Sequence, residues 1–163
     1  MSLLEWCQWL QQTPLATTIT ESNWLFPLIE GSHILALPIS VGMIVIFDLR
    51  LIGLAFRNGP VAEIVSQLLR WSKLGFAIMF LTGSTLFITQ AGKAYGNLFF
   101  RTKLILLVLL GVNAAVYQLV FYPRMAQWDL AGRTPAGAKF CGWLSLIAWI
   151  GVIICGRTMA YEF

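Results

Sequence analysis

The sequence has few charged residues, since only 11% of its 163 residues are Asp, Glu, Lys or Arg. A soluble globular domain carries about 25%, so this chain lacks the polar side chains that would cover a water-facing surface. Its mean hydropathy of +0.77 also favours an integral membrane protein. The net charge of +4 is spread along the chain, and no basic tract alternates with aromatic residues. We therefore expect no nucleic-acid partner.

The sequence also lacks the cysteine patterns and motifs of several functional classes. Its three cysteines, Cys7, Cys141 and Cys155, are odd in number and widely spaced, which argues against a disulfide framework or a zinc site. Glycine-rich nucleotide-binding loops, nucleophile elbows and zinc-protease helices do not occur in it, so soluble-enzyme catalysis has no support. The enzymatic role left open is that of a membrane oxidoreductase subunit.

The chain has instead four long apolar runs separated by charged segments. Crossing the hydrocarbon core of a bilayer takes about 20 apolar residues in a helix. We predict an all-α, single-domain bundle over residues 1–163, with transmembrane helices at 24–47, 74–92, 104–122 and 140–156. The apolar spacing of residues 3–10 predicts a short N-terminal helix on the membrane surface. Residues 60–69, after a turn signal at 58–60, predict an amphipathic helix on the cytoplasmic surface between the first two spans, which leads through Arg70 and Trp71 into the second span.

Lysine and arginine are distributed unevenly among the connections, which predicts the orientation. The first and third connections hold seven of these residues, whereas the second connection and the C-terminal end hold four. Because positively charged loops are retained in the cytoplasm, we expect both termini on the opposite side. Asp48 and Arg50, at the end of the first span, are interpreted as an interfacial charge pair, with proton uptake as the alternative.

The first span contains the only histidine of the chain, His33, and an ionisable group inside a membrane is a functional-site candidate. Counting the helical rise from the predicted outer ends brings polar residues of the other helices to the depth of His33. This layer contains Thr82 or Ser84 on the second span, Asn113 on the third and Ser145 on the fourth, with Gly83 leaving room beside the histidine.

One hypothesis makes His33 a metal ligand, because a neutral imidazole is a common axial ligand of haem iron. The cofactor would be haem b, with Asn113 at the same depth and with Gly83 allowing the macrocycle to approach the helix backbone. Three cations on the outer side would hold its propionates or another anionic ligand: Arg101, Lys103 and Arg157. One chain supplies one histidine, so the iron would be five-coordinate, use Met79 or Gln118 as a weak second ligand, or lie at a symmetric subunit interface.

Other interpretations of the same residues stay open. Ser, Thr, Asn and His side chains join membrane helices by hydrogen bonds, so the layer is also explained as packing in a non-enzymatic scaffold or accessory subunit. Glu30 and His33 share a helix face, which allows a proton relay in a small proton-coupled transporter. The same pair is half of a carboxylate-bridged di-metal motif, but the other acidic residues lie outside the predicted span interiors and cannot complete it.

Several segments resemble a family of small, uncharacterised four-helix bacterial integral membrane proteins, a domain of unknown function. The resemblance extends over almost the whole chain and rests on residues 24–30 (WLFPLIE), 32–37 (SHILAL), 48–53 (DLRLIG), 100–104 (FRTKL), 113–114 (NA) and 156–161 (GRTMAY). It implies a multi-pass protein of the bacterial inner membrane, here with both termini periplasmic. In architecture the family is distantly similar to copper-resistance-D and b-type cytochrome bundles. Many members carry a second histidine near the position of Gln118.

The leading functional prediction is a membrane haem-b-binding redox or electron-transfer protein or subunit with His33 as its single axial ligand. We expect it to act in the lipid bilayer as a homo-oligomer or within a larger membrane complex.

Overall fold

The computed structural model describes residues 2–55, 61–130 and 133–161, which are predominantly helical and contain no β-strand. Four stretches are long and apolar enough to cross a membrane, and we call them the first to fourth spans: Leu25–Ile52, Leu68–Gly96, Leu98–Asp129 and Ala136–Met159. An all-α chain with four helices able to span a membrane is thereby confirmed. The first span extends beyond its predicted C-terminal bound and the other three beyond both bounds, because charged residues such as Asp48, Lys93 and Lys103 lie within helices and do not end them.

Two short helices precede the first span, α1 (Leu3–Gln11) and α2 (Pro14–Glu21). Ser2 caps α1 in a reciprocal pair with Glu5, in which the Glu5 N–H donates to the serine oxygen at 3.2 Å and the carboxylate accepts from the Ser2 N–H at 2.8 Å. At the other end of α1, the side-chain oxygen of Gln11 accepts from the Gly92 N–H at 3.1 Å. The predicted N-terminal helix is therefore present, and it packs against the end of the second span.

The first span consists of α3 (Leu25–Leu37), a π-helical turn (Pro38–Gly42) and α4 (Met43–Ile52). Pro38 has no N–H to donate to the helix and its ring crowds the preceding turn, which accounts for the wider turn here. After α4, Gly53 has a φ of 80°, in the left-handed region that glycine adopts without strain.

The second span is the C-terminal part of α5 (Val61–Gly96). The helix predicted at 60–69 is present from Val61 as the first turns of α5, which lead into the second span as predicted, and its position at the cytoplasmic surface stays a prediction. Val65 is 2% exposed and packs in a core with Leu51 and Met125, so these first turns contact the bundle. Pro60 and the predicted turn at 58–60 lie outside the described residues.

The third span contains α6 (Leu98–Val116), a π-helical turn (Tyr117–Phe121), a 3-10 turn (Tyr122–Arg124) and α7 (Met125–Leu130), and the fourth is α8 (Ala136–Met159). Asn97 caps α6 by accepting a hydrogen bond from the Phe100 N–H at 3.0 Å. α6 and α8 pack along each other. Protein buries 44% of the most apolar part of the fourth span but only 11% of that of the third, so α8 is the central helix and the third span is the least covered.

The first span changes neighbours along its length, since α3 packs against α5 whereas α4 packs mainly against α8. Gly75 allows the close approach of the first two spans: a Cβ there would lie 2.7 Å from the backbone nitrogen of Ser40. On the Ile52 side of this contact, a core that includes Leu51 and Tyr117 joins the spans. We call this side the Asp48 end of the bundle. The opposite side, where α3 packs against α5, is the His33 end.

Candidate functional site

His33 lies between α3 and α5 and is partly buried. Its Nδ1 is 2.8 Å from the side-chain oxygen of Thr82. The prediction that Thr82 and Gly83 lie at the depth of His33 is therefore confirmed.

The hydrogen bonds of Thr82 assign the proton on the imidazole. The threonine hydroxyl has one hydrogen, and it is donated to the carbonyl oxygen of Ile78 in the same helix at 2.7 Å. Its oxygen must then accept from the Nδ1–H of His33. In the neutral ring this leaves the lone pair on Nε2. The imidazole also interacts with the backbone of Met79.

Gly83 makes room for the imidazole. A Cβ at this position would lie 3.0 Å from Cε1 and 3.6 Å from Nδ1 of His33, so the ring packs directly on the helix backbone of α5. The sequence predicted that this glycine would admit a macrocycle, whereas in the structure the histidine ring itself occupies the space. Gly83 thus contributes to the site by letting His33 reach Thr82.

The three predicted anion-binding cations all belong to the His33 end but differ in their surroundings. Lys103 is partly buried, with its Nζ 3.6 Å from where a Cβ of Gly156 would be, and it interacts electrostatically with His33. The two arginines are exposed and lie over tyrosine rings, at 4.9 Å for Arg101 and 5.0 Å for Arg157. Lys103 is therefore the cation that the fold associates with the histidine.

Neither of the two weak ligands considered for a second axial position faces His33. The sulfur of Met79 accepts a hydrogen bond from Ser40 at 2.8 Å, and Ser40 is seven residues, about 10 Å of helix, from the histidine. Gln118 is exposed in the turn that follows α6, toward the Asp48 end.

The predicted polar layer does not extend to the third and fourth spans. The side-chain amide of Asn113 donates to the carbonyl oxygen of Cys141 at 3.0 Å, and Ser145 hydrogen-bonds the carboxyl group of Asp48. Asp48 is 15 residues from His33 along the first span, about 22 Å of helix. Placing Asn113 and Ser145 at the depth of His33 was therefore wrong, because both belong to the Asp48 end.

Asp48 and Arg50 do not form the expected charge pair. Residues two apart on a helix point in different directions, and Arg50 instead has its guanidinium 4.0 Å from the carboxylate of Asp129. Asp48 is 4% exposed, and its Oδ2 has no hydrogen-bond partner among the described residues. The two-residue spacing of Asp48 and Arg50 already argued against a pair between them. The sequence interpretation therefore gave too little weight to Asp48, whose carboxyl group is buried and incompletely hydrogen-bonded.

The described hydrogen bonds do not join Glu30 to His33, so they do not support the di-metal or the proton-relay interpretation of this pair. Glu30 is exposed, whereas His33 is bonded to Thr82. The described ranges contain no group of three or more His, Cys, Asp or Glu side chains placed to hold a metal ion. A metal at His33 would therefore need to bring most of its ligands with it.

Comparison with known families gives one match. The sequence model of a family described as a family of unknown function (DUF6644) matches residues 24–162, which is most of the chain. The predicted resemblance to an uncharacterised family is thereby confirmed, while bacterial origin and the likeness to copper-resistance-D and b-type cytochrome bundles stay predictions. No curated protein and no solved structure matches the chain.

Proposed function

The chain belongs to DUF6644, a family of unknown function, and from the His33 site we propose that it is a membrane haem-b-binding redox or electron-transfer protein or subunit. His33 is the axial ligand. The observation that carries the proposal is the orientation of the imidazole, whose Nδ1–H is held by Thr82 at 2.8 Å, which places the ring's lone pair on Nε2.

This arrangement is what a metal-ligating histidine requires. Histidine ligands donate their second ring N–H to a protein acceptor, which fixes the tautomer and the ring orientation and makes the ligating nitrogen more basic. Haem supplies the equatorial nitrogens of its own iron, so it needs only axial ligands from protein. Since the described residues contain no group of three or more His, Cys, Asp or Glu side chains placed to hold a metal ion, the site fits haem better than zinc or a di-metal centre.

The cations of the His33 end fit the propionates of haem. Lys103 interacts electrostatically with His33. Arg101 and Arg157 lie at the same end of the bundle. The exposed guanidinium groups can exchange their tyrosine contacts for carboxylates. Bound haem would supply one-electron transfer, and the chain's residues would bind and orient it.

The second axial position calls for a group from outside this chain or stays open. The chain has one histidine, and Met79 and Gln118 are engaged or located elsewhere. We therefore include in the proposal a homo-oligomer or a larger membrane complex. We also place the protein in a bacterial inner membrane with both termini periplasmic, on the basis of the distribution of Lys and Arg.

The test is the absorption spectrum of the protein purified from cells supplied with a haem precursor, compared with two variants. The wild type should show Soret and α bands that sharpen on reduction with dithionite. His33→Ala should lose these bands, because it removes the iron ligand. Glu30→Gln, an exposed substitution one turn away, should keep them and serves as the matched control. Bands of equal intensity in the His33→Ala protein would contradict the assignment.

A structural role for His33, in a non-enzymatic scaffold or accessory subunit, is the second candidate. It is favoured by the same His33–Thr82 contact, since interhelical hydrogen bonds of this kind join membrane helices without any cofactor. In that case the wild-type protein is colourless when fully folded and haem-supplied, and His33→Ala lowers its stability alone. The spectrum separates the two functions, because the stability loss is expected in both.

A further inference from the structure

A cavity of about 470 Å³ opens at the Asp48 end, where the first and third spans finish and the fourth begins. Its volume falls within the roughly 300–1,000 Å³ typical of small-ligand sites. Arginine, lysine, carboxylate, hydroxyl and apolar groups share its wall. The lining residues are Arg50, Ile52, Gly53, Trp128, Asp129, Arg133, Thr134 and Lys139.

The charge of the wall selects for anions. Three cations, Arg50, Arg133 and Lys139, face one carboxylate, Asp129. Arg50 and Asp129 are mostly buried, with side-chain exposures of 13% and 10%, and their charged atoms are 4.0 Å apart. The exposed Arg133 and Lys139 give the described wall a net charge of +2, which can balance the single negative charge of a phosphodiester or the larger charge of a phosphate monoester.

The position of the cavity matches the headgroup layer of a membrane. The first span has 28 residues, about 42 Å of helix, which exceeds the roughly 30 Å hydrocarbon core of a bilayer. When the helix is centred on this core, its last residues extend into the polar region, where phosphate groups are concentrated. Trp128 is fixed in the wall because its indole N–H donates to the carbonyl oxygen of Phe121 at 3.3 Å.

We propose that this cavity is a phosphate-binding site, in which Arg133, Lys139 and Arg50 hold the phosphate of an anionic phospholipid headgroup or of a free phosphate compound. Basic pockets between transmembrane helices hold lipid headgroups in this way. The hydroxyl of Thr134 adds a neutral hydrogen-bond donor, and Asp129 orients Arg50. The site lies at the opposite end of the bundle from His33 and does not depend on haem.

Titration calorimetry of the detergent-solubilised protein tests the proposal with three titrants. These are a short-chain phosphatidylglycerol, the phosphatidylcholine with the same acyl chains, and sodium phosphate against sodium chloride at equal ionic strength. Preference for phosphatidylglycerol over phosphatidylcholine, with no heat from phosphate, identifies the lipid as the source. Binding of sodium phosphate that competes with phosphatidylglycerol identifies a free phosphate compound. Equal affinities for the two lipids together with no phosphate binding would overturn the proposal.

Two double variants locate the binding. Arg133→Gln with Lys139→Gln removes two exposed cavity cations and should weaken binding about thirtyfold, because each cation near the membrane surface contributes roughly fivefold. Arg70→Gln with Arg124→Gln removes two exposed cations that do not line the cavity and should leave the affinity unchanged. Both proteins are checked for wild-type helical content first. Equal losses in the two double variants would show that the charge effect is general and would refute a site in this cavity.

Discussion

Replacing Thr82 with valine tests the contact that orients His33. Valine has nearly the shape of threonine but no hydroxyl, so the substitution removes the acceptor of the Nδ1–H and keeps most of the packing between α3 and α5. Thr85 offers a matched control in the same helix. Its hydroxyl donates to the carbonyl oxygen of Leu81 at 2.8 Å, as that of Thr82 donates to Ile78 at 2.7 Å. Only the Thr82 substitution also removes a hydrogen bond to another span.

The expected loss follows from the strength of interhelical hydrogen bonds in membranes. These average about 0.6 kcal/mol and reach about 1.7 kcal/mol, and we expect the upper half of this range because Thr82→Val leaves a partly buried imidazole N–H without an acceptor. Both variants lose the hydrogen bond that the threonine hydroxyl donates within its own helix. Thr85→Val should cost less, because it loses only that bond. In a double-mutant cycle with His33→Ala, Thr82→Val should show a coupling energy of this size and Thr85→Val none.

Unfolding by SDS in mixed micelles, followed by circular dichroism, gives these free energies. Haem retention gives an independent measure, because loss of a histidine's hydrogen-bond partner lowers metal affinity by about 10–100-fold. A coupling energy of zero between positions 33 and 82, or equal losses in the Thr82 and Thr85 variants, would refute a stabilising hydrogen bond between His33 and Thr82.

Three further substitutions test the packing and the two ends of the bundle. Gly75→Ala should be less stable than Gly111→Ala by about 1–3 kcal/mol. A Cβ on Gly75 would lie 2.7 Å from a backbone atom, whereas a Cβ on Gly111 would have nothing within 4 Å. Equal stabilities in SDS titration would argue against the close approach of the first two spans. Asp48→Asn should unfold at the same or a higher SDS fraction, because it replaces a buried, incompletely bonded carboxyl by a neutral group; a clear loss of stability would indicate that the carboxylate has a charged partner. Asn113→Ala should lower the free energy of unfolding by about 0.6–1.7 kcal/mol and leave the haem content unchanged. A loss of haem would indicate that Asn113 belongs to the cofactor site.

The sequence was sufficient to predict the four spans, because a run of about 20 apolar residues has few alternatives to a membrane helix. Their ends were not predictable from charge, since long cationic side chains can extend from within a helix to polar surroundings. The segment 60–69 shows what packing adds to a sequence pattern. Its amphipathic pattern predicts a helix that leads into the second span, and the structure adds that Val65 packs in one core with Leu51.

The candidate site was predicted on the first two spans and not on the others. Counting helical rise matched His33 with Thr82 and Gly83, which the structure brings together. On the third span the count started from Lys103 as the membrane boundary. Lys103 itself lies near enough to act on the charge of His33, so Asn113 is ten residues, about 15 Å, farther along. Relative helix offsets depend on packing, which composition does not report.

Binding of haem iron by His33 through Nε2 is tested most directly by the reduced-minus-oxidised difference spectrum of the purified wild-type protein. The measurement is made on material from cells with an ample haem supply, with haem and protein quantified in the same sample. We expect b-type Soret and α bands at a stoichiometric haem content. A folded, colourless protein that contains no iron would contradict it.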